Sequence, residues 1–161
     1  MTEDIRLRIK TLVADAEAAV PSTPKPDLPP GQYTQGAPEW HSFEHTIWAI
    51  GEDIRQLLLK KKSLRNDDDL QSAFAAISVN RNAKRGRQSF IMLLGYTSCQ
   101  QYSYSIASQL DDPDVTGHVI STLLKMQAPD FVQEISKFLD HDISWIRRKA
   151  KAYCGRFSGA A

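Results

Sequence analysis

The C-terminal half of this chain carries one pattern twice. SQLDDPDVTGHVISTLLKM begins at Ser108 and KFLDHDISWIRRKAKAYC begins at Lys137. In each, an apolar residue leads into an Asp-rich turn, a β-branched residue and an amphipathic helix. A repeat of about 28 residues marks a chain built by stacking one supersecondary unit on the next, because a unit this small cannot bury its apolar face alone. Function in such a chain resides in the surfaces the stack presents, and the architecture does not name the partner.

The chain has the size for one core, with 161 residues of which 42% are hydrophobic, and a single domain spanning 1–161 is expected. Its 20 Lys/Arg nearly balance its 19 Asp/Glu, so net charge exerts no global pull toward nucleic acid or an anionic membrane. The charges are nevertheless segregated. Residues 1–80 hold 9 Lys/Arg against 12 Asp/Glu, and residues 81–161 hold 11 against 7. The two cysteines, Cys99 and Cys154, sit inside apolar helical patterns where small hydrophobes serve, which fits a reducing compartment. The N-terminal run mixes charge into its apolar residues, unlike a secretory signal, and no segment is long and apolar enough to span a bilayer. A cytoplasmic bacterial-style protein is the expectation.

Spacing of the apolar residues predicts helix almost throughout. Residues 1–20 place Ile5, Ile9, Leu12, Val13, Ala16 and Val20 on one face. Residues 21–38 hold six of the eight prolines and predict a loop, read first as a solvated strap and second as a strap over apolar surface or a partner-binding segment. Residues 39–62 predict the longest helix, ending in Lys60, Lys61 and Lys62, which oppose its dipole. The acidic run after Asn66 predicts the cap of the next helix, with Leu70, Phe74 and Ile77 buried. Further helices are expected at about 84–95, 98–110, 115–126, 129–139 and 143–156, with Pro113 and Pro129 at helix starts. The class is all-α, in stacked antiparallel helical hairpins.

Residues 67–157 resemble HEAT repeats of the short bacterial type. The best match is LDHDISWIRRKA, residues 139–150, where Asp140 and Asp142 occupy the turn, Ile146-Arg147 resembles the family's Val-Arg step and Ala150 takes its small packing position. The unit at 110–124 keeps the aspartates and departs at the arginine, where Val119 stands. The resemblance implies a short α-solenoid capped by the helix at 39–62, with Arg147 pairing to a turn aspartate, Asp112, Asp114 or Asp140. It also implies a concave face built from second helices.

Three arrangements bear on chemistry. His41-Ser42-Phe43-Glu44-His45 matches H-x-x-E-H, whose spacing puts two imidazoles one helical turn apart beside a glutamate base. No third ligand is evident and the flanking aromatics suit packing, so a metal-dependent hydrolase is the third reading and no metal is assigned. Cys99 and His118 can be drawn as a thiol–imidazole pair, with an inert core cysteine preferred. No phosphate loop, nucleophile elbow or C-x-x-C pair is present, and no cofactor is assigned.

The basic segments Arg81, Lys84, Arg85, Arg87 and Arg147, Arg148, Lys149, Lys151, Arg156 recur in separate units, so a stack aligns them into one stripe. Tyr96, Tyr102 and Tyr104 are read as packing residues rather than base-stacking ones. The leading expectation is a non-enzymatic protein-binding module, of the kind exemplified by toxin-neutralising immunity proteins, with Arg87, His118, Ser121, Lys125, Arg147, Arg148 and Lys151 as its partner-binding residues. A nucleic-acid-binding helical repeat is the alternative.

Overall fold

Apolar residues recur every three or four positions along this chain, and the secondary structure follows them. The computed structural model describes residues 2–32 and 36–159. Residues 33–35 of the Pro-rich stretch lie outside it. The described residues form eight α-helices and no strand; the one extended pairing is an isolated bridge between Pro30 and Pro38. The helices are α1 (Thr2–Ala19), α2 (Ser42–Lys60), α3 (Asp68–Ser78), α4 (Gln88–Met92), α5 (Ser103–Ala107), α6 (Thr116–Met126), α7 (Val132–Ser136) and α8 (Ser144–Phe157). No helix among the described residues is long and apolar enough to cross a membrane.

The expected helices shorten where local chemistry interrupts them. The pattern at 84–95 becomes a 3₁₀ segment, Arg81–Arg87, followed by the single turn and a half of α4. Lys84 breaks it with a φ of 50° and a ψ of −133°, conformational space that a non-glycine residue enters at a cost. The pattern at 98–110 splits into a 3₁₀ segment, Thr97–Tyr102, and α5, while 129–139 contracts to α7. Pro113 and Pro129 lie in the turns before α6 and α7 rather than at their first positions. The cap of α3 is as expected: Asp67 Oδ1 accepts from the Leu70 N–H at 3.0 Å.

One core runs through the molecule. α1 packs on α2 and α3 through Ile9, Leu12, Val13 and Ala16, and α2 lies on the 3₁₀ segment 81–87 and on α4. From there α4 packs on α3 and α6, and α6 packs on α5 and α8, so that Phe90, Ile91, Leu94, Val119, Leu123, Ile146, Ala150 and Tyr153 are all buried in succession. Two close approaches require glycine. A Cβ at Gly86 would come within 2.8 Å of the Glu44 carbonyl oxygen, and one at Gly117 would collide with the Trp145 indole. α8 is tied down by Tyr153, whose hydroxyl donates to Ala128 O and accepts from the Phe131 N–H at 3.2 Å.

Candidate functional site

The two basic segments have different fates. In the first, each cation is engaged by groups of other elements, Arg81 at the surface and Arg87 completely buried. Arg81 Nη2 donates to Ser108 O at 3.2 Å and pairs with Asp111 at 2.8 Å, and its Nε donates to Gln109 at 3.1 Å. Lys84 Nζ meets Asp27 at 2.5 Å. Burial opposes the Lys84 charge, but Asp27, Asp114 and Glu44 outweigh it and raise the pKa. Arg85 donates to Pro38 O at 2.7 Å and to Glu39 O at 2.8 Å, contacts Glu44 at 3.4 Å and lies 5.3 Å from the Trp40 ring centre. Arg87 is completely buried; it donates to Lys84 O at 3.0 Å and pairs with Asp112 at 2.5 Å.

These contacts correct one expectation and refine another. Arg87 does not stand on a partner-binding face, because its guanidinium is the internal tie between the 3₁₀ segment and the turn before α6. The 21–38 loop is solvated over most of its described residues, as expected, and is also tied down. Although most of its side chains are exposed, its carbonyls at Pro21, Pro26 and Pro38 accept from Asn82, His41 and Arg85, and Asp27 is held by Lys84.

The second segment faces outward. α8 carries Arg147, Arg148, Lys149, Lys151 and Arg156 with no acidic residue along its length. Arg147, Arg148, Lys151 and Arg156 are exposed. Arg147 does not pair with a turn aspartate carboxylate as the HEAT resemblance implied. Its Nη1 donates to the carbonyls of His141 and Asp142, at 2.6 and 3.0 Å, closing the turn before its own helix. Arg81 and Arg87, by contrast, do pair with aspartates, Asp111 and Asp112. Arg147, Arg148 and Lys151 do come together. They line a depression of about 680 Å³ with Leu139, Ser144, Cys154, Gly155 and Ser158. Leu139 and Ile143 stay exposed beside it, at 39% and 48%.

The remaining expected residues are dispersed. Lys125 is exposed on α6 in a different depression, with Glu52, Arg55, Met92, Gly95 and Tyr96. Ser121 is half-buried on the same helix. His118 is wedged edge-on against Trp145, ring centres 5.3 Å apart, and burial pushes its pKa down to about 4. It stands behind α8, as part of the seam that holds the cationic helix in place. The sequence placed Cys154 inside an apolar helical pattern and did not single out Leu139; in the fold Leu139 is exposed and Cys154 half-buried in the α8 depression.

The H-x-x-E-H residues serve structure. Glu44 is completely buried on α2, where Oε2 accepts from the His41 N–H at 2.6 Å and Oε1 accepts from the Arg85 N–H at 2.9 Å. His41 Nε2 bonds Pro26 O at 2.7 Å, and His45 stacks on Trp40. Its carboxylate caps its own helix and anchors a neighbouring segment. No cluster of three or more metal-ligating side chains occurs among the described residues. Cys99 is buried, which raises its pKa, and its sulfur contacts Ser98 Oγ while His118 is engaged with Trp145.

The tyrosines are structural as well. Arg65 lies over the Tyr96 ring at 4.6 Å, and Tyr104, though exposed, stands edge-on to Phe131 with its hydroxyl on Asp130. Compared with family models, with curated proteins and with solved structures, this chain matches none.

Proposed function

We propose that this chain is a non-enzymatic binding protein that engages an acidic surface of another protein through α8. The observation that carries this reading is the outward face of α8, where Arg147, Arg148 and Lys151 rim a depression containing Leu139 and Cys154. Arginine beside exposed apolar side chains is the composition of a protein interface rather than of a purely electrostatic one. Complementary charge then accelerates encounter, and the apolar floor supplies the desolvated contact.

A protein partner is favoured over nucleic acid because the two-unit stripe does not exist as a free surface. With 81–87 consumed internally, the cations left on α8 occupy a helix of roughly 21 Å. That is few beside the roughly 6–10 phosphate contacts of a typical binder. The succession of α4, α6 and α8 supports a HEAT-like stack in which α8 turns its cationic side outward, and a toxin-neutralising role is one instance of this kind of binding.

Titration with poly-glutamate and with single-stranded and duplex oligonucleotides at about 0.15 M salt tests the reading. Poly-glutamate binding that disappears in the double variant Arg148→Glu, Lys151→Glu, with helicity unchanged, is expected. Tighter binding of the oligonucleotides than of poly-glutamate overturns it.

A further inference from the structure

A second slot opens at the start of α2, remote in sequence from α8. Glu39, Trp40, His45 and Trp48 line it, an open depression of about 320 Å³. We propose that it binds an alkylated ammonium group, with Trp40, His45 and Trp48 as aromatic walls and Glu39 as the opposing charge.

The walls are built into the fold. Trp40 stacks on His45 with ring centres 5.2 Å apart and planes at 30°. Trp48 follows His45 by three residues on α2, so the two side chains share a face. Ile47, Gly51 and Ile54 bury the opposite side of the helix, whereas Trp48 remains 36% exposed. Aromatic ring faces are negative and attract cations, and rings arranged around a small space recognise quaternary ammonium groups. The volume lies at the small end of ligand cavities, which run from about 300 Å³ upward, and so suits a compact head group.

The local charge agrees. Arg85 lies against Trp40, but the buried Glu44 carboxylate balances it, leaving Glu39 as the net charge among the lining residues. Glu39 is set on a pinned backbone: its N–H donates to Pro29 O at 3.1 Å and its carbonyl accepts from Arg85 at 2.8 Å. Its side chain lies across Gly31, at a distance that any Cβ there would violate. No lysine or arginine belongs to the lining.

The test is an NMR titration of the full chain with choline and with its uncharged isostere 3,3-dimethylbutan-1-ol, observing the three indole N–H resonances. Choline should shift Trp40 and Trp48 saturably while Trp145, engaged with His118, stays still. The isostere should bind about tenfold more weakly, since it lacks the charge that the rings and Glu39 recognise. Trp48→Ala should abolish the response, and Glu39→Gln, which leaves every ring in place, should weaken it several-fold. Equal affinity for the isostere overturns the proposal. So does a shift confined to Trp145, the absence of a saturable shift at tens of millimolar choline, or saturable binding of methyl glucoside without binding of choline.

Discussion

Residues 81–87 and 147–156 look alike as strings of arginine and lysine, yet one is a fastener and the other a surface. The difference lies in what stands opposite each. The turn before α6 presents Asp111 and Asp112 to the first segment, and the 21–38 loop presents Asp27 and the Pro38 carbonyl. Arg87 thereby pairs a largely buried carboxylate, Asp112, whereas Arg81 meets an exposed one, Asp111. The second segment belongs to α8, which packs on α6 and α7 and leaves Arg147, Arg148, Lys151 and Arg156 exposed. Two similarly basic segments thus differ: one is engaged by carboxylates and carbonyls of other elements, and the other leaves its cations exposed on α8.

The sharpest way to break this comparison is to delete one arginine from each segment. Arg87→Ala should destabilise the fold by about 3–5 kcal/mol, because Asp112 would be left as a half-buried charge without its partner. Urea denaturation measures it, and a change below about 1 kcal/mol would place Arg87 with the exposed residues.

Acid should find the seam beneath α8 next. His118 has an ordinary pKa of 6.5 and a folded value of about 4, so the folded state favours the neutral ring. Its contribution is complete above pH 6.5 and is lost as pH falls toward 4, amounting to about 3 kcal/mol. Stability of His118→Phe against pH should lack that step between 6.5 and 4. A wild-type profile identical to that of the variant in this window would remove His118 from the seam.

Glu44→Ala comes third. It strips Arg85 of its buried partner and the α2 N-terminus of its reciprocal cap, and a loss of about 2–3 kcal/mol is expected. Faster amide exchange in residues 36–40 should accompany it, since Arg85 secures Pro38 and Glu39. Glu44→Ala with unchanged stability would return the glutamate to the catalytic reading. The smallest effect belongs to α8: Arg148→Ala should shift stability by less than about 0.5 kcal/mol while weakening poly-glutamate binding.

Much of the fold was legible in the spacing of apolar residues. Periodicity located α1, α2, α3, α6 and α8 and their buried faces, since these follow from a 3.6-residue repeat that each segment carries within itself. It overextended α4, α5 and α7, where apolar spacing continues through residues that the backbone sets in 3₁₀ turns, as at Lys84. The candidate site was legible only in part. Arg147, Arg148 and Lys151 were found because they lie within one helix, while Arg87, His118 and Lys125 were grouped with them on the assumption that second helices align.

The sequence by itself determined the all-helical class, the Asp67 cap, the succession of buried stripes and the one strongly basic helix, all properties of residues near one another along the chain. Tertiary structure alone decided which charges are free. Whether an arginine binds a partner depends on the carboxylates and carbonyls that other elements place within about 3 Å of it, and no local pattern encodes that distance. The same reason separates Glu44, a buried fastener, from Glu39 a few residues earlier, which borders an aromatic slot.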